Sequence, residues 1–215
     1  MPSSLEVDYL IIGSGAMGMA FADTLVSDST ATMAIVDRND APGGHWTMSY
    51  PFVRLHGPSG IYGVNSRPMH SDGTPTSVTM ASRHEVLDYY DRVMREVLVD
   101  SGRVTHLPRH EVVAHTPGAT TVQVRNLLGG AVTEIVARRR VVDASYMNIT
   151  VPAMGKRGYA VDDGVALVPV GELPTWDGAA EHITVLGAGK TALDACLWLL
   201  DHGVTADRVR WIVPA

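Results

Sequence analysis

The 215-residue chain contains a single cysteine, Cys196. An intrachain disulfide is impossible, a dithiol redox pair within one chain is excluded, and a reducing compartment is the expected setting. Positive charge is also scarce: 17 Lys and Arg stand against 23 Asp and Glu, for a net charge of −6. Grip on DNA or RNA phosphates needs a clustered cationic excess, so no nucleic-acid partner is expected. No apolar run approaches the ~20 residues that span a bilayer as a helix, and no basic stretch precedes an apolar one at the amino terminus. The expectation is a soluble, cytoplasmic protein with no membrane partner. Charged residues make up only 19% and apolar residues 46%, a balance that suits a packed core. The length allows one ordinary domain or two small ones, at ~100–200 residues each.

Several chemistries lack their residues. Ser59 in Gly57-Pro58-Ser59-Gly60 has the wrong spacing for a nucleophile elbow. His110-Glu111-Val112-Val113-Ala114-His115 has one residue too many for a helical zinc pair, and its alternation reads as a strand, so no metal site is expected. Arg138-Arg139-Arg140 reads as an ion-pairing or solvated edge. Cys196 falls with Ala192, Leu193, Leu199 and Leu200 on an apolar helix face and is expected to be a buried structural thiol.

What is present is glycine in a telling place. Val7–Ile12 is a short, nearly continuous apolar run suited to a parallel strand buried on both faces. It is followed by Gly13-Ser14-Gly15-Ala16-Met17-Gly18, a helical pattern to about Ser27, and a second apolar strand, Thr32 to Val36, that stops at Asp37. Gly13 allows a tight turn, Gly15 lets the backbone approach a pyrophosphate, and Gly18 lets the helix lie close on the sheet. The helix amino terminus then offers free N–H groups and partial positive charge to phosphates. Asp37 is placed to accept from both ribose hydroxyls and would repel a 2′-phosphate, which points to FAD or NAD. With 21 glycines in the chain, three fixed ones recur by chance about 0.2 times, so the surrounding strand, helix, strand and acid carry the argument.

Residues Asn39 to Pro75 are rich in turn formers and read as a long functional loop. Ser82-Arg83-His84-Glu85 has the form of a capping box opening a helix that runs to about Ser101, where Gly102 stops it. From Arg103 the period changes to two: Val104 to Leu107, Glu111 to His115, Thr120 to Leu127 and Ala131 to Val142 read as strands of a β-meander. Gly129-Gly130 supplies the turn between the last two. Pro152 to Gly178 reads as a connector with a short strand near Val165 to Val170. A second glycine unit follows: strand His182 to Leu186, Gly187-Ala188-Gly189-Lys190-Thr191-Ala192, helix Lys190 to His202, strand Arg208 to Val213. It mimics the end of a P-loop, but that motif needs glycine where Thr184 stands. No carboxylate follows the second strand, so the acid that would select NAD is missing, as is an Arg for NADP.

Two glycine fingerprints separated by a helix and a meander resemble the two-dinucleotide-binding flavoproteins. The residues from Asp8 to Gly13, Pro42-Gly43-Gly44-His45-Trp46, Tyr50 to His56, Tyr62-Gly63-Val64 and Val185 to Ala195 resemble bacterial FAD/NAD(P)-binding oxidoreductases related to flavin-containing monooxygenases. The resemblance implies an α/β fold: a Rossmann-like FAD-binding domain over 1–165, with the meander at about 103–143, and the first βαβ unit of an NAD(P)-binding domain over 166–215. It also implies that relatives continue for roughly as long again beyond Trp211, so that the chain is truncated at its carboxyl terminus. The disulfide reductases of that superfamily carry a cysteine pair soon after the double glycine; His45 and Trp46 stand there instead.

By that resemblance Gly13, Ser14, Gly15, Ala16, Met17 and Gly18 hold the FAD pyrophosphate, and Asp37 with neighbouring Arg38 lies at the ribose. Gly44, His45 and Trp46 run towards the flavin, Val112 gives an adenine-side backbone contact, and Ala144 lies in the return segment Asp143-Ala144-Ser145. Gly187, Gly189, Lys190 and Thr191 belong to the NAD(P)H loop. Arg54 and His56 are the polar loop residues to mutate first; no catalytic acid or base can be named. The implied activity is hydride transfer from a nicotinamide to flavin and on to oxygen or another acceptor, with an unspecified small-molecule substrate. The alternative is a dinucleotide-binding module or remnant without independent catalysis, which would act as a homodimer or with a complementing polypeptide. A simple NAD dehydrogenase would need a substrate domain for which little chain is left.

Overall fold

The structure is a computed structural model that describes residues 4–69, 78–116, 118–145, 159–178 and 180–213. Parts of the long loop and of the connector, residues 70–77 and 146–158, lie outside the described residues. The chain divides into two compact units, Met1–Met48 with Leu55–Asn148, and Ser49–Arg54 with Ile149–Ala215.

The first unit is built on a six-stranded mixed sheet. Strand β1 (Ser4–Ile12), helix α1 (Ala16–Asp28) and strand β2 (Met33–Asp37) form the expected parallel unit, with Tyr9 opposite Met33 and Ile12 opposite Val36. Every residue of β2 is buried, as a strand covered on both faces requires. A short antiparallel pair, β3 (Gly63–Val64) and β4 (Arg67–Pro68), interrupts the long loop. Helix α2 (Arg83–Val93) opens with the predicted capping box: the Glu85 amide donates to Ser82 Oγ, and the Ser82 amide donates to the Glu85 carboxylate at 2.7 Å. Such a cap contributes about 1 kcal/mol. The helix continues through a π turn at Met94–Leu98 and a 3₁₀ turn at Val99–Ser101, and Gly102, at φ 71°, stops it.

Strands β5 (Val104–Pro108), β6 (His110–Ala114), β7 (Thr121–Asn126) and β8 (Val132–Asp143) complete the sheet in the order β5-β2-β1-β8-β7-β6. One expectation is corrected. Val104–Pro108 is not the first meander strand; it pairs parallel with β2, Val104 opposite Met33, and forms an edge of the parallel layer. Alternation marks a half-covered edge strand in either direction, so it could not separate the two cases. The meander proper is β6, β7 and β8, and β8 returns parallel to β1, with a bulge between Val7 and Tyr9.

A single residue, Arg109, joins β5 at one end of the strand order to β6 at the other, so the sheet must fold back over itself. Val7, Leu10, Ala34 and Val36 from the parallel layer accordingly pack with Val122, Val124, Ile135 and Ala137 from the meander. Full burial of each larger aliphatic side chain contributes about 1.5–3 kcal/mol. Arg109 turns this corner at φ 54°, the one non-glycine positive φ among the described residues. Its amide donates to the Asn39 carbonyl, and its carbonyl accepts from the Leu127 amide. The arginine triplet does pair: Arg138 and Arg139 both reach Asp8, and Arg138 also reaches Glu6.

The second unit is smaller. Strand β9 (Ile183–Leu186), helix α3 (Lys190–Asp201) and strand β10 (Val209–Ile212) form a parallel βαβ unit, Val209 opposite Ile183. Gly203, at φ 86°, follows the helix. Val165–Val170 forms no strand, and Cys196 is half-buried instead of buried, because the narrow two-stranded sheet covers only Ala192, Ala195 and Leu199 of α3. Leu193, Leu197 and Leu200 stay exposed, as do Leu186 and Trp211. Among the described residues no helix is long and apolar enough to cross a membrane.

Candidate functional site

The carboxyl ends of β1, β2 and β8 meet at one place in the first unit, and the chain leaves each of them through a polar or glycine turn. Gly13, at φ 104°, turns the backbone after β1 in a conformation that other residues rarely adopt. Its amide donates to the Val36 carbonyl at 2.8 Å, and the Ala144 amide donates to the Ile12 carbonyl at 2.9 Å. The return segment therefore lies directly against the turn: a Cβ on Gly13 would meet the Ala144 carbonyl at 3.4 Å. Asp143 holds that segment by accepting from the Ser145 amide at 2.8 Å and from its hydroxyl at 2.5 Å. These bonds hold the Asp143 carboxyl below the usual carboxylate range.

Helix α1 starts at the glycine loop. Its N-cap is Gly15, which has no side chain to satisfy the first-turn amides. The amides of Ala16, Met17 and Gly18 in that first turn have no partner within the helix, and an anion would complete them. Gly18 is obligatory, because a Cβ there would lie 2.0 Å from the Gly13 carbonyl oxygen. Gly44 crosses the loop so closely that its own Cβ would lie 2.9 Å from Gly15 Cα, and the Gly43 amide donates to the Ser14 carbonyl at 3.0 Å. These glycines let the chain's own backbone pack this closely, and the uncapped amides of the helix start are what fit the loop to a diphosphate.

Asp37 ends β2 with only 7% of its surface exposed. One carboxylate oxygen accepts from both the amide and the hydroxyl of Ser14 at 2.7 Å, and the other accepts from the Asn39 amide at 2.8 Å. Arg38 beside it is exposed. His45 and Trp46 lie on a 3₁₀ turn, Gly44–Met48, with ring centroids 5.6 Å apart. Trp46 is buried and its indole N–H donates to Tyr62 Oη at 2.8 Å, while desolvation holds the His45 pKa below its ordinary value. Arg83, from the start of α2, donates to the Trp46 and Thr47 carbonyls at 3.0 and 2.8 Å and anchors this turn. Val112 lies on β6, opposite Val124, and packs on the core, and His56 is exposed in the loop.

The second glycine loop has a different character. Gly187 turns at φ 139°, and Gly189 is an N-cap without a side-chain bond, as Gly15 is. A Cβ on Gly189, however, would meet nothing within 4 Å. Lys190 does not extend over the loop: its ammonium is bonded to the Asp194 carboxylate and donates to the Arg54 carbonyl at 2.7 Å. Tyr50 Oη donates to the same Asp194 oxygen at 2.7 Å, and burial together with that carboxylate pushes its pKa above the ordinary phenol range. Phe52 stacks on Trp198 at 5.5 Å. The segment Ser49–Arg54 is thus strapped along α3, with Thr191 exposed at the helix start.

Sequence reasoning missed the Ser14–Asp37 bonds, the Arg83 anchor, and Asp23, a buried carboxylate in α1 that accepts from the Ser66 amide at 3.0 Å. Only Asp23 left a signal, an acid within an otherwise apolar helix. Among the described residues no cluster of metal-ligating side chains exists.

No protein-family model matches the chain. It is 42% identical over 217 aligned positions to an uncharacterized protein of Mycobacterium tuberculosis and equally to one of Mycobacterium bovis, covering 98% of this chain and 39% of each relative. The chain thus spans about two-fifths of the length of those relatives. Among solved structures, a double mutant of the flavin monooxygenase of Stenotrophomonas maltophilia superposes over 98% of this chain and 58% of its own, with a TM-score of 0.64 and 22% identity. Cyclohexanone monooxygenase from Rhodococcus sp. Phi1 bound to NADP+ superposes over 99% of this chain and 38% of its own, with a TM-score of 0.56 and 22% identity. The chain thus shares its Rossmann-like α/β fold, six-stranded mixed sheet included, with part of these flavin monooxygenases.

Proposed function

We propose that the chain is the cofactor-binding part of an FAD-dependent, NAD(P)H-linked oxidoreductase of monooxygenase-like type. The observation that carries this reading is the first loop: an uncapped helix start at Gly15, a Gly18 that admits no side chain, and Gly44 lying across Gly15. The amides of Gly15 to Gly18 hold the FAD pyrophosphate, Asp37 takes the adenosine ribose, and Ala144 closes the side next to Gly13. Arg38 and Val112 border the adenosine end, and Gly44, His45 and Trp46 line the path towards the flavin. Gly187, Gly189 and Thr191 receive the nicotinamide nucleotide. When bound, FAD supplies the redox chemistry, accepting hydride from the nicotinamide and reducing oxygen or another acceptor. The protein's own work is to orient that group and to control access of water to it; Trp46, buried and fixed by Tyr62 and Arg83, is suited to both.

A visible spectrum of the purified chain after FAD addition and gel filtration tests the reading. Retained flavin absorbance that bleaches with NADPH or NADH is expected. A colourless protein that takes up no FAD sinks the proposal. A second reading, a nucleotide-binding module that turns over only with a further polypeptide, is favoured by the apolar surface of Leu186, Leu197 and Trp211 in the second unit. Retained flavin that no nicotinamide nucleotide bleaches would select it.

A further inference from the structure

We propose that Ser14 occupies half of the Asp37 carboxylate, so that the first glycine loop grips an adenosine ribose through one hydroxyl where an unencumbered carboxylate would chelate two. The proposal rests on the reading that this loop takes an adenine nucleotide, and it makes Ser14 the residue that sets ribose selectivity.

A carboxylate offers about four lone-pair positions. In Asp37 both positions of Oδ2 are taken, by the Ser14 amide and the Ser14 hydroxyl, each at 2.7 Å. Oδ1 has accepted the Asn39 amide at 2.8 Å, which leaves one position. Side-by-side chelation of a cis-diol needs one acceptor on each oxygen, and Oδ2 has none left. Ser14 cannot readily give way. It is wholly buried, its amide and hydroxyl converge on the same oxygen, and its carbonyl is held by the Gly43 amide at 3.0 Å. Turning Asp37 off Ser14 would strand two buried donors, which costs more than one neutral ribose hydroxyl returns. The Ser14 hydroxyl, for its part, is committed to Asp37 and is withdrawn from any phosphate. Its service is to pin the loop to the end of β2, which keeps the amides of Ala16, Met17 and Gly18 aimed at a common point.

The consequence is a nucleotide site that tolerates the loss of one ribose hydroxyl and discriminates against the loss of the other. Isothermal titration of the full chain with ADP, 2′-deoxy-ADP and 3′-deoxy-ADP reads this directly. One deoxynucleotide is expected to bind within about twofold of ADP, and the other about tenfold more weakly. In Ser14→Ala one Oδ2 position is released, and both deoxynucleotides are expected to fall behind ADP. The titrations of the unsubstituted chain decide the matter even if that variant does not fold. Equal, roughly tenfold losses for both deoxynucleotides would mean a two-point grip and overturn the proposal alone. No loss for either would remove Asp37 from the ribose and overturn it as well. If ADP itself gives no binding heat while the protein remains folded by circular dichroism, the nucleotide reading fails and the proposal fails with it.

Discussion

The two glycine loops of this chain are written almost alike and built differently. Both follow a strand, both open a helix with a glycine N-cap that has no side-chain bond, and both turn on a glycine with positive φ. Around the first, backbone packs tightly on backbone: Gly18 lies against the Gly13 carbonyl, Gly44 against Gly15, and Ser14 and Asp37 lock the turn to β2. Around the second, Gly189 has open space, and the third small position is already an alanine, Ala192. Six strands stand beneath the first loop and two beneath the second. A glycine motif is thus two separate demands. A backbone turn requires the first glycine in both loops, whereas packing requires the later ones only where a full sheet presses the helix against the loop.

The largest expected effect breaks this symmetry directly. Gly18→Ala puts a Cβ 2.0 Å from a carbonyl oxygen, so the helix must shift or the loop must open. A loss of about 3 kcal/mol or more in denaturant midpoint analysis is expected, at the upper end for overpacking. Gly189→Ala meets nothing within 4 Å and has extended backbone at φ −86° and ψ 174°, so only the weaker capping of alanine should register, at about 0.5–1 kcal/mol. Equal losses for the two variants would refute the distinction between turn and packing.

The carboxylates give the next contrast. Asp37→Ala leaves the Ser14 and Asn39 amides and the Ser14 hydroxyl without their acceptor in a site 7% exposed, for an expected loss of about 2–3 kcal/mol. Asp194→Ala removes the partner of Tyr50 and Lys190 in the small unit, where the more exposed Lys190 ammonium can turn to water, and about 1–2 kcal/mol is expected. Thermal melts followed by tryptophan emission would compare them. Trp198 and Trp211 report on the second unit, and Trp46 on the first.

Residue spacing made much of this visible in advance, and its failures are instructive. The strand, glycine, helix, strand and acid order of the first unit was legible because each feature answers to local backbone geometry. The capping box at Ser82 and the stop at Gly102 were legible for the same reason. Pairing partners were not: Val104–Pro108 alternates as a meander strand would, yet it joins the parallel layer. Helix α3 carries an apolar face wide enough to promise a buried Cys196, but two strands cannot cover it. At the site, Asp37 was recognisable as an acid at a strand end. That one of its oxygens is already filled depends on Ser14, and serine is an unremarkable residue in the variable position of a glycine loop.

A smaller prediction concerns how the first unit holds its corner. Arg109 carries φ 54° between two strands, a conformation that costs a non-glycine residue about 1 kcal/mol. Its surface pair with Asp40 returns little of that. Arg109→Gly relieves the strain but adds freedom to the unfolded chain, so a net change within about 1 kcal/mol in the stabilising direction is expected from denaturant titration. A clear loss of stability would mean that the arginine side chain does more at this corner than the backbone geometry implies.

The smallest effect separates the units by pH. His106 sits in β5 opposite Ile35, with Nε2 buried and unpartnered among the described residues. Burial lowers its pKa, and the nearby Asp37 and Asp91 carboxylates only partly oppose that. The unfolded chain binds a proton near the ordinary value of about 6.5, whereas the folded chain resists until lower pH. Stability is therefore fully present above about pH 6.5 and is lost as pH falls through the lowered folded value. His106→Leu should flatten that acid limb while leaving stability at neutral pH within about 1 kcal/mol. Hydrogen exchange gives the regional readout: at pH 5.5 the β5 amides should lose protection in the parent chain and keep it in the variant, while β9 and β10 behave alike in both. An acid limb unchanged by the substitution would assign it to other groups, and protection lost in β9 and β10 as well would mean that the two units unfold together.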